Sequence, residues 1–101
     1  MWILQSDAAD AEAMIFRLPA GAIKTVGRAS RADFIVDAAL VSRLHCRLTA
    51  TEDRIDVEDL QSTNGTFVND TRVERANLAG GDRLRVGRVE FHVEKRSEGQ
   101  R

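Results

Sequence analysis

Cysteine is almost missing from this chain: Cys46 is the single one, so no internal disulfide can form and the fold must be held by its core. No apolar run approaches the ~20 residues that a membrane-spanning helix needs. The opening stretch, Met1 to Gln5, is too short for a signal-peptide core and lacks a basic flank. An excess of charge of one sign is missing too: the formal net charge is −1 at pH 7, without the basic excess of a general nucleic-acid binder. These absences lead to the expectation of a cytoplasmic protein with no membrane contact and no direct nucleic-acid partner.

What is present is 101 residues with 43% hydrophobic content, enough to bury one core and too few for a second folded domain. The domain is expected over residues 1–95. Residues 96–101 are polar, carry no apolar anchor and are expected to be a disordered tail. Apolar and polar residues alternate in short sets: Met14, Phe16, Leu18; Leu44, Cys46, Leu48; Ile55, Val57; Leu84, Val86; Val89, Phe91, Val93. Period two over short stretches bounded by turn residues predicts the strands of an all-β sandwich. In Val86-Gly87-Arg88-Val89 the glycine takes the first position of a two-residue turn, where positive φ is wanted, so 82–95 should form a hairpin. Asn64-Gly65, Asn69-Asp70, Pro19-Ala20-Gly21 and Ala79-Gly80-Gly81-Asp82 mark further turns. Asp7 to Met14, rich in Ala, Asp and Glu, is read as a polar loop, although Asp7 suits the cap of a short helix. Little else in the sequence favours helix.

Three short motifs carry chemistry. Gly27-Arg28 comes first, then Val41-Ser42-Arg43-Leu44-His45, then Gln61-Ser62-Thr63-Asn64-Gly65-Thr66 with Asn69 behind it. Set among short alternating strands, they describe loops gathered at one end of the sandwich. Their side chains supply a guanidinium, hydroxyls and a carboxamide, joined by backbone N–H groups, a donor set suited to a doubly charged oxyanion such as a phosphate ester. Charge is consistent with this: residues 24–47 hold Lys24, Arg28, Arg31, Arg43 and Arg47 against Asp33 and Asp37. A solvated face explains those arginines equally well when charge is taken alone.

With these motifs the chain resembles forkhead-associated (FHA) domains, whose pattern Gly-Arg, Ser-x-x-His, Asn-Gly is met by Gly27-Arg28, Ser42 to His45 and Asn64-Gly65. Val26, Phe67-Val68-Asn69 and the closing Gly81 to Gly87 stretch extend the likeness from about Trp2 to about Lys95. The resemblance implies an FHA-type β-sandwich of two antiparallel sheets, about eleven strands in all, with binding loops at one end for phosphothreonine peptides and with no catalysis. It assigns phosphopeptide binding to Arg28, Ser42, Arg43, Thr63 and Asn64. Arg28 and Ser42 would meet the phosphate, Arg43 the phosphate or peptide backbone, Thr63 the phosphate through its hydroxyl, and Asn64 the peptide backbone beside the phosphothreonine. Gly27, His45, Gly65 and Asn69 are expected to support the loops, with Asn69 tying the loop from behind or opening the next turn. The preference for threonine is inherited from the resemblance alone, since burying one γ-methyl is worth only about 0.8 kcal/mol.

Two other readings of the same residues are weaker. Ser42 and His45 suggest a nucleophile and base, but no oriented acid follows and no Gly-x-Ser-x-Gly elbow is present. His45, Cys46 and His92 lack the paired spacing of a structural zinc site. The expectation is therefore no enzyme, no metal and no cofactor. The expected partner is a phosphothreonine-bearing protein, a Ser/Thr kinase or its substrate. The alternative is an FHA-fold scaffold that binds a partner or itself without phosphate.

Overall fold

A computed structural model describes residues 1–7 and 13–96. The expected loop at 7–14 therefore lies largely outside the described residues, as does the expected tail beyond Arg96. Eleven strands and no helix are described: β1 (Trp2–Ser6), β2 (Ile15–Leu18), β3 (Ile23–Gly27), β4 (Phe34–Ile35), β5 (Cys46–Ala50), β6 (Ile55–Asp59), β7 (Thr66–Val68), β8 (Thr71–Val73), β9 (Arg75–Leu78), β10 (Arg83–Val86) and β11 (Val89–Lys95). They form a six-stranded sheet in the order β2-β1-β11-β10-β7-β8 and a five-stranded sheet in the order β4-β3-β5-β6-β9. Pairing is antiparallel except between β3 and β4, which run parallel with Val26 opposite Phe34.

The alternation read from the sequence is what places the core between the sheets. Leu4, Leu84, Val86, Phe91 and Val93 point inward from one sheet and Val26, Cys46, Leu48, Ile55 and Val57 from the other, all in one buried cluster. Each large apolar side chain removed from water contributes about 1.5–3 kcal/mol. Along the edge where β2 and β4 approach, Phe16 stacks on Phe34 with ring centroids 4.4 Å apart, and Phe16 also touches Phe91 at 5.6 Å. Trp2 buries its ring and donates its indole N–H to Thr51 O at 2.8 Å, which satisfies its one polar atom.

The turns follow the sequence signals. Val86 pairs with Val89 across Gly87-Arg88, with Gly87 at φ 59°. Asn69 and Asp70 both take positive φ, 50° and 70°, in the two-residue turn between β7 and β8, a backbone that Asn and Asp tolerate better than most residues. Leu44 departs from its expected inward place. The chain bends at 43–44 before β5 begins, so Leu44 is 36% exposed while His45 and Cys46 are both buried.

Candidate functional site

Three connections meet at one end of the sandwich, and Gly27 is the reason they can. A Cβ at Gly27 would overlap Arg43 O and lie 2.8 Å from Arg43 C and 2.9 Å from Leu44 Cα, so only glycine lets the 42–44 segment lie against the end of β3. With that approach made, the Arg28 N–H donates to Ser42 O at 2.9 Å, the Ala29 N–H to Arg43 O at 3.1 Å and the His45 N–H to Val26 O at 2.7 Å.

His45 lies beneath the loops, fully buried. Its Nδ1 accepts the Ser42 N–H at 3.0 Å and its Nε2 reaches Gly65 O at 2.8 Å. An Nδ1 that accepts leaves the ring proton on Nε2, which donates to the carbonyl. One imidazole thus ties the 41–45 loop to the 60–65 loop. The Ser42 hydroxyl makes a second tie by accepting the Thr63 N–H at 3.0 Å. Because that contact uses a lone pair, the hydroxyl proton is left to be donated elsewhere. No base touches it: His45 meets the backbone of Ser42 and not Oγ.

Arg28 donates Nε to Val41 O at 3.1 Å, which anchors the guanidinium and leaves its two terminal amino groups for a ligand. Asn64 donates Nδ2 to Leu40 O at 3.1 Å, and Leu40 itself is held at φ 70°, a rare backbone for a bulky residue. Arg28, Ser42, Arg43, Thr63 and Asn64 all line one open cleft of about 870 Å³. Asp37 is the one carboxylate on its wall, against two guanidinium groups, and Leu40 and Leu44 add apolar surface to the lining. The five residues singled out in sequence are brought together, with Gly27, His45 and Gly65 beneath or beside them.

Asn69 is not with them. Its carboxamide bonds Asp82 Oδ1 at 3.2 Å and the Arg83 N–H at 2.9 Å, so it braces the β7–β8 turn against the start of β10. Of its two expected roles, opening the next turn is the one the structure contains. His92 lies on the six-stranded sheet beside Asp7, at 3.1 Å, far along the chain from the buried His45 and Cys46.

A partly buried polar network went unread in the sequence. Asp59 Oδ1 accepts the Ser62 hydroxyl at 2.6 Å and the Thr66 hydroxyl at 2.7 Å, while Oδ2 accepts the Ser62 N–H at 3.1 Å. Ser62 Oγ in turn accepts the Gly65 N–H at 2.9 Å. Partial burial pushes the Asp59 carboxyl up, and the hydrogen bonds from Ser62 and Thr66 outweigh it, so the carboxyl sits below its ordinary value. The Asp59-x-x-Ser62 spacing, an acid turning back on a hydroxyl three residues later, was the signal available. Cys46, next to this network, is pushed up to about 12 by burial, with the Asp59 charge acting in the same sense, so it stays a thiol and no nucleophile.

Among the described residues, a sandwich built of strands brings a guanidinium, a serine hydroxyl and a carboxamide together on braced loops. The FHA domain profile matches residues 24–87, and the chain belongs to the FHA family. It is 40% identical over 74 residues, 73% of its length, to an ABC transporter ATP-binding/permease protein of Mycobacterium tuberculosis, of which the match spans 8%. The match spans between 8% and 45% of the length of eight curated relatives, this one included. Its fold superposes with a TM-score of 0.82 on the FhaA FHA domain crystallised with the intracellular domain of another protein, at 33% identity over 93% of this chain and 100% of that one. A second solved structure, described in terms of phosphothreonine-dependent FHA domain interactions, gives 0.80 at 32% identity over 95% of this chain and 97% of the other.

Proposed function

We propose that residues 1–95 form a phosphothreonine-peptide binding module that docks a protein phosphorylated by a Ser/Thr kinase, in the cytoplasm and without catalysis. The observation that carries the reading is the pairing of Arg28 and Ser42 in one cleft. Arg28 is anchored through Nε on Val41 O with its terminal amino groups left over, and Ser42 Oγ accepts from Thr63, so that its proton is left over too. A phosphate with about −1.5 to −2 charges takes up both kinds of donor. Arg43 adds positive field at the cleft wall, and Asn64, held by one amide hydrogen on Leu40 O, offers its second amide hydrogen and its carbonyl to the backbone of the bound peptide. The likeness to an FHA domain described by its phosphothreonine-dependent interactions supports the choice of ligand. The Ser42 hydroxyl, which accepts from Thr63 and meets no base, and the protonated Cys46 thiol support a binding role over a catalytic one. No helix of the described residues is long and apolar enough to cross a membrane.

The test is titration of the domain with degenerate peptide libraries carrying phosphothreonine, phosphoserine or unmodified threonine. Saturable binding confined to phosphothreonine is expected. Equal binding of the unmodified library would overturn the reading in favour of a phosphate-independent scaffold.

A further inference from the structure

Gly87 closes the β10–β11 hairpin of the six-stranded sheet, and the backbone packed against it sets it apart from the other positive-φ glycines: the nearest atoms to a Cβ at Gly65 belong to the Arg72 side chain, and at Gly21 and Gly81 there are none within 4 Å. A Cβ at Gly87 would lie 2.9 Å from Ala39 O, 2.9 Å from Val41 Cγ2 and 3.1 Å from Leu40 C. Two of those three atoms are backbone, and Val41 is in the buried cluster together with Val86, so neither the loop nor the turn has a flexible end to move aside. The loop pressed by this turn is the one that holds the binding side chains. Leu40 O accepts from Asn64 and Val41 O accepts from Arg28.

We propose that Gly87 is a positioning residue of the phosphopeptide site. Its bare turn seats one sheet's hairpin behind the 39–41 backbone and so sets the two carbonyls that aim Arg28 and Asn64. Leu40 at φ 70° fits this arrangement, since a bulky residue keeps a left-handed backbone only where its surroundings enforce it. The hairpin turn behind and the Asn64 and Arg28 hydrogen bonds in front supply that enforcement. The proposal rests on the binding function argued above for its ligand, but the positioning itself is measurable without one.

Gly21 and Gly81 provide the comparison. They take φ 91° and 94°, and a Cβ at either would meet nothing within 4 Å. Those values lie farther from the left-handed well near about +57° than the 59° of Gly87, so backbone strain alone makes Gly87→Ala the mildest of the three substitutions. Seating of the loop makes it the most harmful to binding.

The experiment compares Gly87→Ala with Gly21→Ala and Gly81→Ala at a temperature where all are folded. Two quantities are read: phosphothreonine-peptide affinity, and the NMR shifts of the Asn64 side-chain amide and the Arg28 Nε–H in the ligand-free domain. Gly87→Ala is expected to move both resonances and weaken binding at least about tenfold. The two controls are expected to leave both resonances in place and stay within about twofold of the parent. Val41→Ala supplies a second variant should Gly87→Ala not fold. It removes the methyl on which the turn rests, adds no bulk, and is expected to move the same two resonances. Unmoved resonances in the folded variants overturn the proposal. Moved resonances in a domain whose parent binds no phosphopeptide would sustain the positioning and overturn the ligand instead.

Discussion

The Ser42 backbone, not its hydroxyl, is what His45 holds: the Ser42 N–H donates to Nδ1 at 3.0 Å while Nε2 reaches Gly65 O at 2.8 Å. A serine and a histidine three residues apart thus make a brace in place of a nucleophile and base. The hydroxyl accepts the Thr63 N–H, and its proton, which the ring does not take up, is left for a ligand.

Replacing His45 by Phe keeps the volume roughly and removes both hydrogen bonds, leaving the Ser42 N–H and Gly65 O unpaired in a buried setting. Each unsatisfied group costs about 1–3 kcal/mol. Denaturant unfolding should therefore show a midpoint well below that of the parent, with phosphopeptide affinity reduced even under conditions where the variant is fully folded. Unchanged affinity in the folded variant would mean the two loops hold their places without the imidazole.

Arg28 separates binding from folding. Its side chain is exposed, so Arg28→Ala should shift unfolding by no more than about 1 kcal/mol while abolishing phosphopeptide binding. Arg28→Lys keeps the charge but loses both the planar fork and the Nε anchor on Val41 O. Losing one charge-assisted hydrogen bond costs about 1.5–3 kcal/mol, so the lysine variant should bind at least about tenfold more weakly than the parent in calorimetric titration. A lysine variant of parental affinity would show that charge alone, without geometry, carries the contact.

Much of this was legible from residue order. Alternation located five of the eleven strands, β2, β5, β6, β10 and β11, Gly87 and Asn69-Asp70 marked hairpin turns, and the three motifs converge on one cleft because Gly27 ends β3, 41–45 leads into β5 and 61–66 joins β6 to β7 at the same end of the sandwich. Leu44 misled because a period-two pattern does not register a bend in the chain just before β5. The parallel β3–β4 pairing was out of reach, as two-residue β4 is too short to show a period. Asp59 was missed for a different reason. Its importance comes from Ser62, Thr66 and Gly65 folding back onto it, a tertiary arrangement that a lone carboxylate at a strand end does not announce.

The Asp59 carboxyl is held below its ordinary value, and the sign of its effect on stability follows. Above the ordinary carboxylate pKa, about 3.9, both folded and unfolded chains are ionised there and the full contribution is present. As pH falls through that value the unfolded chain takes up the proton first, and stability is lost until pH passes below the depressed folded value. Asp33 and Glu58 are depressed as well and act in the same direction, but they remain in an Asp59→Asn variant. The stability gap between parent and Asp59→Asn, about 1–3 kcal/mol near neutral pH, should therefore shrink below pH 4 or so. A gap that stays constant from pH 7 to pH 3 would show that the charge on Asp59 contributes nothing to the network.

Gly27→Ala sets two effects against each other. Alanine restricts the unfolded chain and suits a strand better than glycine, a gain of roughly 0.5–1 kcal/mol where space allows. Space does not allow it here: Gly27 lacks the positive φ that would itself require glycine, yet its Cβ would meet backbone atoms of Arg43 and Leu44 on a segment fixed by three hydrogen bonds. Overpacking of this kind costs about 1–3 kcal/mol, and the Arg28 N–H to Ser42 O and Ala29 N–H to Arg43 O bonds must lengthen to relieve it. The loss exceeds the gain, so the thermal midpoint should fall by several degrees, at about 4–8 °C per kcal/mol for a domain of this size. Phosphopeptide affinity should fall with it, because Arg28 and Ser42 sit on the two strands of chain forced apart. A Gly27→Ala domain as stable as the parent would mean that the end of β3 and the 42–44 segment are not in the close contact on which the site is built.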